Sequence, residues 1–146
     1  MRWIDNGKTV CSKVYGPLIR SFLRSIEYPV LYVALDTSII QDRFCSIWVN
    51  VLIGSCALSL AWKVLLSESA SVSFEQYLPV LEAAREFLPP DREIFFLADQ
   101  GFGHEELVRW LSSQGWRWRI RLCGRHAPLR MGGKAMIAYD LFRTLV

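Results

Sequence analysis

From residue 45 to residue 62 the chain reads CSIWVNVLIGSCALSLAW, without one charged side chain. Such a run nearly reaches the roughly 20 residues of a membrane-crossing helix. It is also long enough for two strands joined by a tight turn. Gly54-Ser55, a two-residue loop with glycine first, favours the hairpin. The spacing then pairs Ile53 with Cys56, Val51 with Leu58, Val49 with Leu60 and Ile47 with Trp62 on a wholly apolar face. Leu52 with Ala57, Asn50 with Ser59 and Trp48 with Ala61 form a mixed face that a second layer would cover only in part. Cys45 and Cys56 are not opposite in this register, so no cross-strand disulfide is expected.

The remaining pattern alternates helix and strand signals. An apolar run over 30–36, VLYVALD, reads as a strand closed by Asp36, and the hairpin strands cover 44–53 and 56–64. Ser73-Phe74-Glu75-Gln76 fits a capping box opening an amphipathic helix, with Phe74, Tyr77, Leu78, Leu81 and Leu88 inward until Pro89-Pro90 stops it. A short apolar strand over 94–98 follows. Residues 104–114 read as a helix with Leu107, Val108 and Leu111 inward, and Gly115 as its C-terminal cap. The strand over 117–122 puts Trp116, Trp118, Ile120 and Leu122 on one side and Arg117, Arg119 and Arg121 on the other. The tryptophans there read as core. An antiparallel meander followed by two helix-linked strands implies an α/β domain. Its sheet is mixed, with the last strands parallel through right-handed crossovers.

Composition bounds the function. A chain of 146 residues with 52% hydrophobic and 13% aromatic content is long enough for one buried core and is not a disordered segment. Its formal net charge of +3 is too small to demand a nucleic-acid partner, but the arginines concentrate beyond Trp116. Cys11, Cys45, Cys56 and Cys123 form neither a C-x-x-C pair nor a set with histidines at metal spacing, so neither a zinc site nor a disulfide framework is indicated. No signal peptide is visible at the N-terminus, and a reducing cytoplasm is the expected compartment.

Two of the strands end in aspartate. LADQGFGH at 97–104 delivers Asp99 to a glycine turn, and Asp36 closes the first strand. If these two strands are adjacent and parallel, both carboxylates emerge at the carboxyl end of the sheet, where ligand sites of open sheets collect. The glycines are expected to let the backbone leave the strand at once. Such a pair can share divalent ions, and two ions about 3.5–4 Å apart suit phosphodiester chemistry. Magnesium fits an oxygen-rich, hydrated site. An isolated aspartate at a strand end more often caps a turn. His104 is either a phosphate or metal neighbour or a polar helix-start residue. Asp42, Glu105 and Glu106 read as solvated charges. Arg117, Arg119 and Arg121, with Arg125, Arg130 and Lys134 beyond, either follow a DNA backbone or form a solvated outer face. Gly101-Phe102-Gly103 lacks the further glycine and lysine of a nucleotide-cradling loop.

The segments LYVALDTSIIQDRF, LSLAWKVL, SVSFEQYLPVLEAARE, FFLADQGFGHEELVRWL and GWRWRIRL resemble, in order, the catalytic core of bacterial insertion-sequence transposases of the DDE type. They are most similar to the branch marked by a Tyr-Arg-Glu-Lys signature. The Asp-x-Gly-Phe at 99–102 is the most specific element, and the similarity spans about 31–122. The resemblance implies a ribonuclease-H-like fold and metal-dependent strand cleavage and transfer at transposon-end DNA. Asp36 would be the first acid and Asp99 the second, acting with Mg2+ or Mn2+. It further implies a helical remnant over 1–28, a partial catalytic core over 29–123 and a tail over 124–146 entering a β-rich insertion. The family's third acid, a glutamate, lies in the Tyr-Arg-Glu-Lys segment, and YDLFRTLV does not supply it. The chain is therefore expected to be a fragment inactive alone and holding metal weakly, or a non-catalytic remnant that binds DNA or associates with itself or a full-length transposase.

Overall fold

The computed structural model describes residues 11–121, 128–131 and 134–137. Helix α1 (Cys11–Ser25) leads into three antiparallel strands, β1 (Val30–Ile40), β2 (Phe44–Ile53) and β3 (Cys56–Leu66). Helix α2 (Phe74–Arg85) crosses to β4 (Glu93–Ala98), and a 3-10 turn (Gln100–Phe102) and α3 (Glu105–Ser113) lead to β5 (Arg117–Ile120). Short strands β6 (Pro128–Met131) and β7 (Lys134–Ile137) form a separate antiparallel pair. The five-stranded sheet has the order β3-β2-β1-β4-β5, with β1, β4 and β5 mutually parallel. The expected meander plus parallel strands is therefore present, and β1 is central.

One face of the sheet is the core. Leu31, Val33 and Leu35 of β1, Ile47, Val49 and Val51 of β2, and Ile94 and Phe96 of β4 are buried there. They share one cluster with Ile19 and Leu23 of α1, Tyr77, Val80, Leu81 and Ala84 of α2, and Leu107 and Leu111 of α3. α1 also touches the chain beyond α2, where Arg20 Nε donates to the Glu86 carbonyl at 3.2 Å. On its other side the Tyr15 hydroxyl donates to the Ser59 carbonyl. Among the described residues no helix is long and apolar enough to cross a membrane.

The hairpin turns where the glycine demanded it: Gly54 has φ +59°, the left-handed region that glycine enters at little cost. The expected register holds from Ile53–Cys56 to Asn50–Ser59 and then slips. A β-bulge places both Leu60 and Ala61 against the core, and Val49 faces Ala61 rather than Leu60. Beyond it Trp48 pairs with Trp62 and Ile47 with Lys63, so Trp62 lies on the mixed face instead of the apolar one. Cys45 and Cys56 are free, as the register required, and burial pushes the Cys45 thiol up.

Other boundaries differ for local reasons. β1 continues past Asp36 to Ile40 because β2 still pairs with it, down to Ile40–Phe44. α2 ends at Arg85, and residues 86–88 follow in tight turns, Phe87 N–H to the Ala84 carbonyl and Leu88 N–H to the Arg85 carbonyl, both at 3.1 Å. Of the capping box, the Ser73 N–H donates to Gln76 Oε1 at 2.8 Å. The Ser73 hydroxyl turns to Glu75, whose carboxyl it holds below the usual range. Trp118 is 40% exposed at the sheet edge rather than buried, whereas Ile120 is core.

Gly115, φ +70°, closes α3 in a Schellman motif: its N–H reaches the Ser112 carbonyl at 3.0 Å and the Trp116 N–H reaches the Leu111 carbonyl at 3.1 Å. Gly101 is different, having no positive φ and open space where a Cβ would stand. Gly115→Ala is expected to cost about 1 kcal/mol, and Gly101→Ala less than about 0.5 kcal/mol. Urea unfolding of the two variants measures both.

Candidate functional site

The two aspartates meet because two strands stop pairing at the same point. β1 and β4 run parallel in register from Val30–Glu93 to Leu35–Ala98. The next residue on one is Asp36 and on the other Asp99. Neighbouring strands lie about 4.8 Å apart, so the two acids are adjacent in the sheet. Asp99 keeps an extended backbone, φ −79° and ψ 173°, which continues the strand alternation by one residue. Since Leu35 faces the core, Asp36 is on the opposite, open face. Asp36 is not the end of its strand, contrary to the sequence expectation. What ends there is its pairing with β4.

Each carboxylate uses one oxygen locally. Asp36 Oδ1 accepts from the Thr37 N–H at 2.8 Å, and Asp99 Oδ1 accepts from the Gln100 N–H at 2.7 Å. Asp99 thereby caps the 3-10 turn that carries the chain away from β4. The turn has ordinary negative dihedrals, Gly103 included at φ −71°, so departure from the strand rests on this cap and on the Phe102 N–H to Asp99 carbonyl bond of 3.1 Å. It does not need left-handed glycines. Phe102 is buried and anchors the turn in the core.

A row of side chains crosses the open face at the level of the acids. Trp62 and Trp48 are paired, Trp48 is paired with Asp36, and Asp99 follows on β4. Arg121 completes it beyond β5, with its N–H on the Ala98 carbonyl at 3.0 Å and its guanidinium 3.9 Å from Asp99 Oδ1. That contact is loose and exposed, with Arg121 at 78% and Asp99 at 59%, and adds little stability. Arg119 and Arg117 stand beside Leu97 and Phe95 on the same face, and Arg117 Nε is 2.7 Å from Glu93 Oε1. Arg125 lies outside the described residues, and of Arg130 and Lys134 only the backbone is described, in β6 and β7.

Among the described residues no group of three or more His, Cys, Asp or Glu side chains is placed to hold a metal ion. His104 does not join the acids. Its Nδ1 lies 3.3 Å from the hydroxyl of Tyr77, whose buried ring packs edge-on against Phe102. The histidine thus ties the start of α3 to α2. A shallow recess bordered by Arg43, Leu66, Ser67, Glu68 and Ser69 includes neither acid. The tryptophan row is what sequence reasoning missed, since the bulge that aligns it leaves no mark in hydropathy. Against models of protein families, curated proteins and solved structures, the chain has no match.

Burial, with smaller contributions from the Glu106 and Glu75 carboxylates, pushes the Tyr77 phenol well above its usual pKa. Below about pH 10 Tyr77 is protonated folded or unfolded. Above it the unfolded chain ionises first, so this contribution to stability is lost as pH rises. Tyr77→Phe is expected to shift the alkaline unfolding midpoint, followed by circular dichroism, to higher pH. At neutral pH it should cost no more than about 1 kcal/mol, one long hydrogen bond.

Proposed function

We propose that Asp36 and Asp99 together hold one hydrated divalent cation, Mg2+ or Mn2+, in a ribonuclease-H-like core of the DDE transposase type acting on DNA at transposon ends. The observation that carries this reading is the shared register: two acids from segments 63 positions apart follow directly on the last parallel pair, Leu35–Ala98. The strand order β3-β2-β1-β4-β5, antiparallel then parallel, is compatible with such a core. The residue types fit the ion, since magnesium keeps several waters and takes one or two carboxylates together with substrate phosphate. Each aspartate still has an oxygen not engaged by its neighbouring amide.

When bound, such a cation supplies charge neutralisation at a phosphodiester and activates a water or hydroxyl for attack. The chain's own residues divide the remaining tasks. Asp36 and Asp99 would hold the ion, the cap of the 3-10 turn fixes one oxygen of Asp99, and Arg121, Arg119 and Arg117 would draw in the DNA backbone. Two carboxylates are too few to fix two ions, so turnover by these residues alone is negligible. The arginine edge also supports a second reading, a folded remnant that binds DNA or a full-length transposase without cleaving.

Two measurements test the proposal. Titrated Mn2+ is expected to broaden the carboxyl-proximal NMR signals of Asp36 and Asp99 first, and Asp99→Asn should abolish the effect; broadening that ignores the substitution would sink it. Arg121→Ala, which removes the competing cation 3.9 Å away, should tighten Mn2+ binding about two- to fivefold. The unmodified chain is expected to show no Mg2+-dependent cleavage of transposon-end DNA. Robust cleavage lost in Asp99→Ala would show that two acids suffice.

A further inference from the structure

The open face of the sheet carries a second kind of chemistry that the acid pair does not use. Trp62 is 44% exposed and Tyr32 45%, and both lie on the side opposite the core. Trp48 and Trp62 stack with ring centroids 5.8 Å apart and planes 24° from parallel. One flank of Trp48 is thereby taken by Trp62. Its row neighbour on the other flank is Asp36, a short side chain that does not fill the height of an indole. Trp48 is itself half-buried, so a flat group would meet it on the outer side of this flank. Two residues back along the same face Ala34 stands beside Leu97, and beyond it Tyr32 and Phe95 form another aromatic pair at 5.5 Å.

From this arrangement we infer that the open face binds single-stranded DNA, with an unpaired base stacked on Trp48 beside Asp36 and the strand's phosphates directed towards Arg117, Arg119 and Arg121. The inference rests on the strand-cleavage reading for its choice of DNA and deepens it. A groove combining aromatic platforms with cationic side chains is the usual way to hold an unpaired strand, because every base offers a π-face while phosphates need positive charge. Duplex DNA does not satisfy it, since its bases are already stacked inside. An apolar protein segment fits poorly, because covering the row would bury Asp36, Asp99 and Arg121 along with the tryptophans. Arg119 has no ion pair among the described residues and is available to a phosphate. Placement of a base at Trp48 would set the adjoining phosphate near the two carboxylates.

The test uses the full chain, a single-stranded oligonucleotide containing 2-aminopurine, low salt and EDTA. Binding should quench the 2-aminopurine fluorescence and weaken as salt rises. Trp48→Ala should remove the quenching and weaken binding roughly 5- to 150-fold, the range for losing one stacked base, while Trp48→Phe keeps most of both. Should Trp48→Ala fail to fold by circular dichroism, Trp62→Ala at the more exposed partner replaces it, with a smaller loss expected. Quenching is read in EDTA, where no divalent ion is present, so a failed metal titration does not imitate a failed stacking site. Equal affinity for duplex and single strand, or quenching unchanged in folded Trp48→Ala, would overturn the inference. So would a chain dimer dissolved by Trp62→Arg without any quenching, which would assign the face to a second copy.

Discussion

The parallel ladder between β1 and β4 is the constraint on which the rest of the molecule depends. β1 is central, bonded to β2 on one side and β4 on the other, so its alternation decides what every neighbour buries. Leu31, Val33 and Leu35 facing the core oblige Tyr32, Ala34 and Asp36 to face outward. The ladder ends after Leu35–Ala98 because β4 is drawn off by a capped 3-10 turn, whereas β1 stays tied to β2 for another five residues. This unequal ending creates a notch in the sheet. The acids line it, one from a strand that continues and one from a strand that has stopped.

Electrostatically the notch is open rather than enclosed. Both aspartates are exposed, so water screens them and neither burial nor a tight ion pair compels an opposite charge beside them. Under the cation proposal, that condition suits a hydrated ion with fast exchange more than a permanent structural metal. The packing behind it is firm by contrast. Phe96, Leu107, Leu111 and Tyr77 are fully buried, and Phe102 pins the turn next to Asp99, so an accessible group is mounted on a rigid support.

How much of this was legible in the sequence depends on the scale of the signal. Gly54 and Gly115 were readable because positive φ is nearly a glycine property, and both adopt it. The parallel direction of the last strands followed from their helical crossovers, whereas the placement of 94–98 beside the first strand was a condition that the structure meets. The acid pair was readable on that same condition, each aspartate standing after an apolar stretch. What stayed hidden was set by tertiary partners. Asp36 appeared to end a strand because hydropathy falls there, yet hydrogen bonds to β2 carry it on. Trp118 alternated correctly but sits at the edge strand, where it is left exposed. Gly101 looked conformational and proves to occupy ordinary backbone.

The bulge in β3 has a consequence for how this surface could arise or be lost. Leu60 is one residue more than its partner strand requires, and it offsets everything beyond it by half a pleat period. Were Leu60 paired in the ladder with no bulge, Trp62 would point into the interior against Ile47 and Lys63 would take its place outside. The aromatic row beside Asp36 is therefore a phase relation between two strands, sensitive to the gain or loss of a single codon rather than to the chemistry of any one side chain.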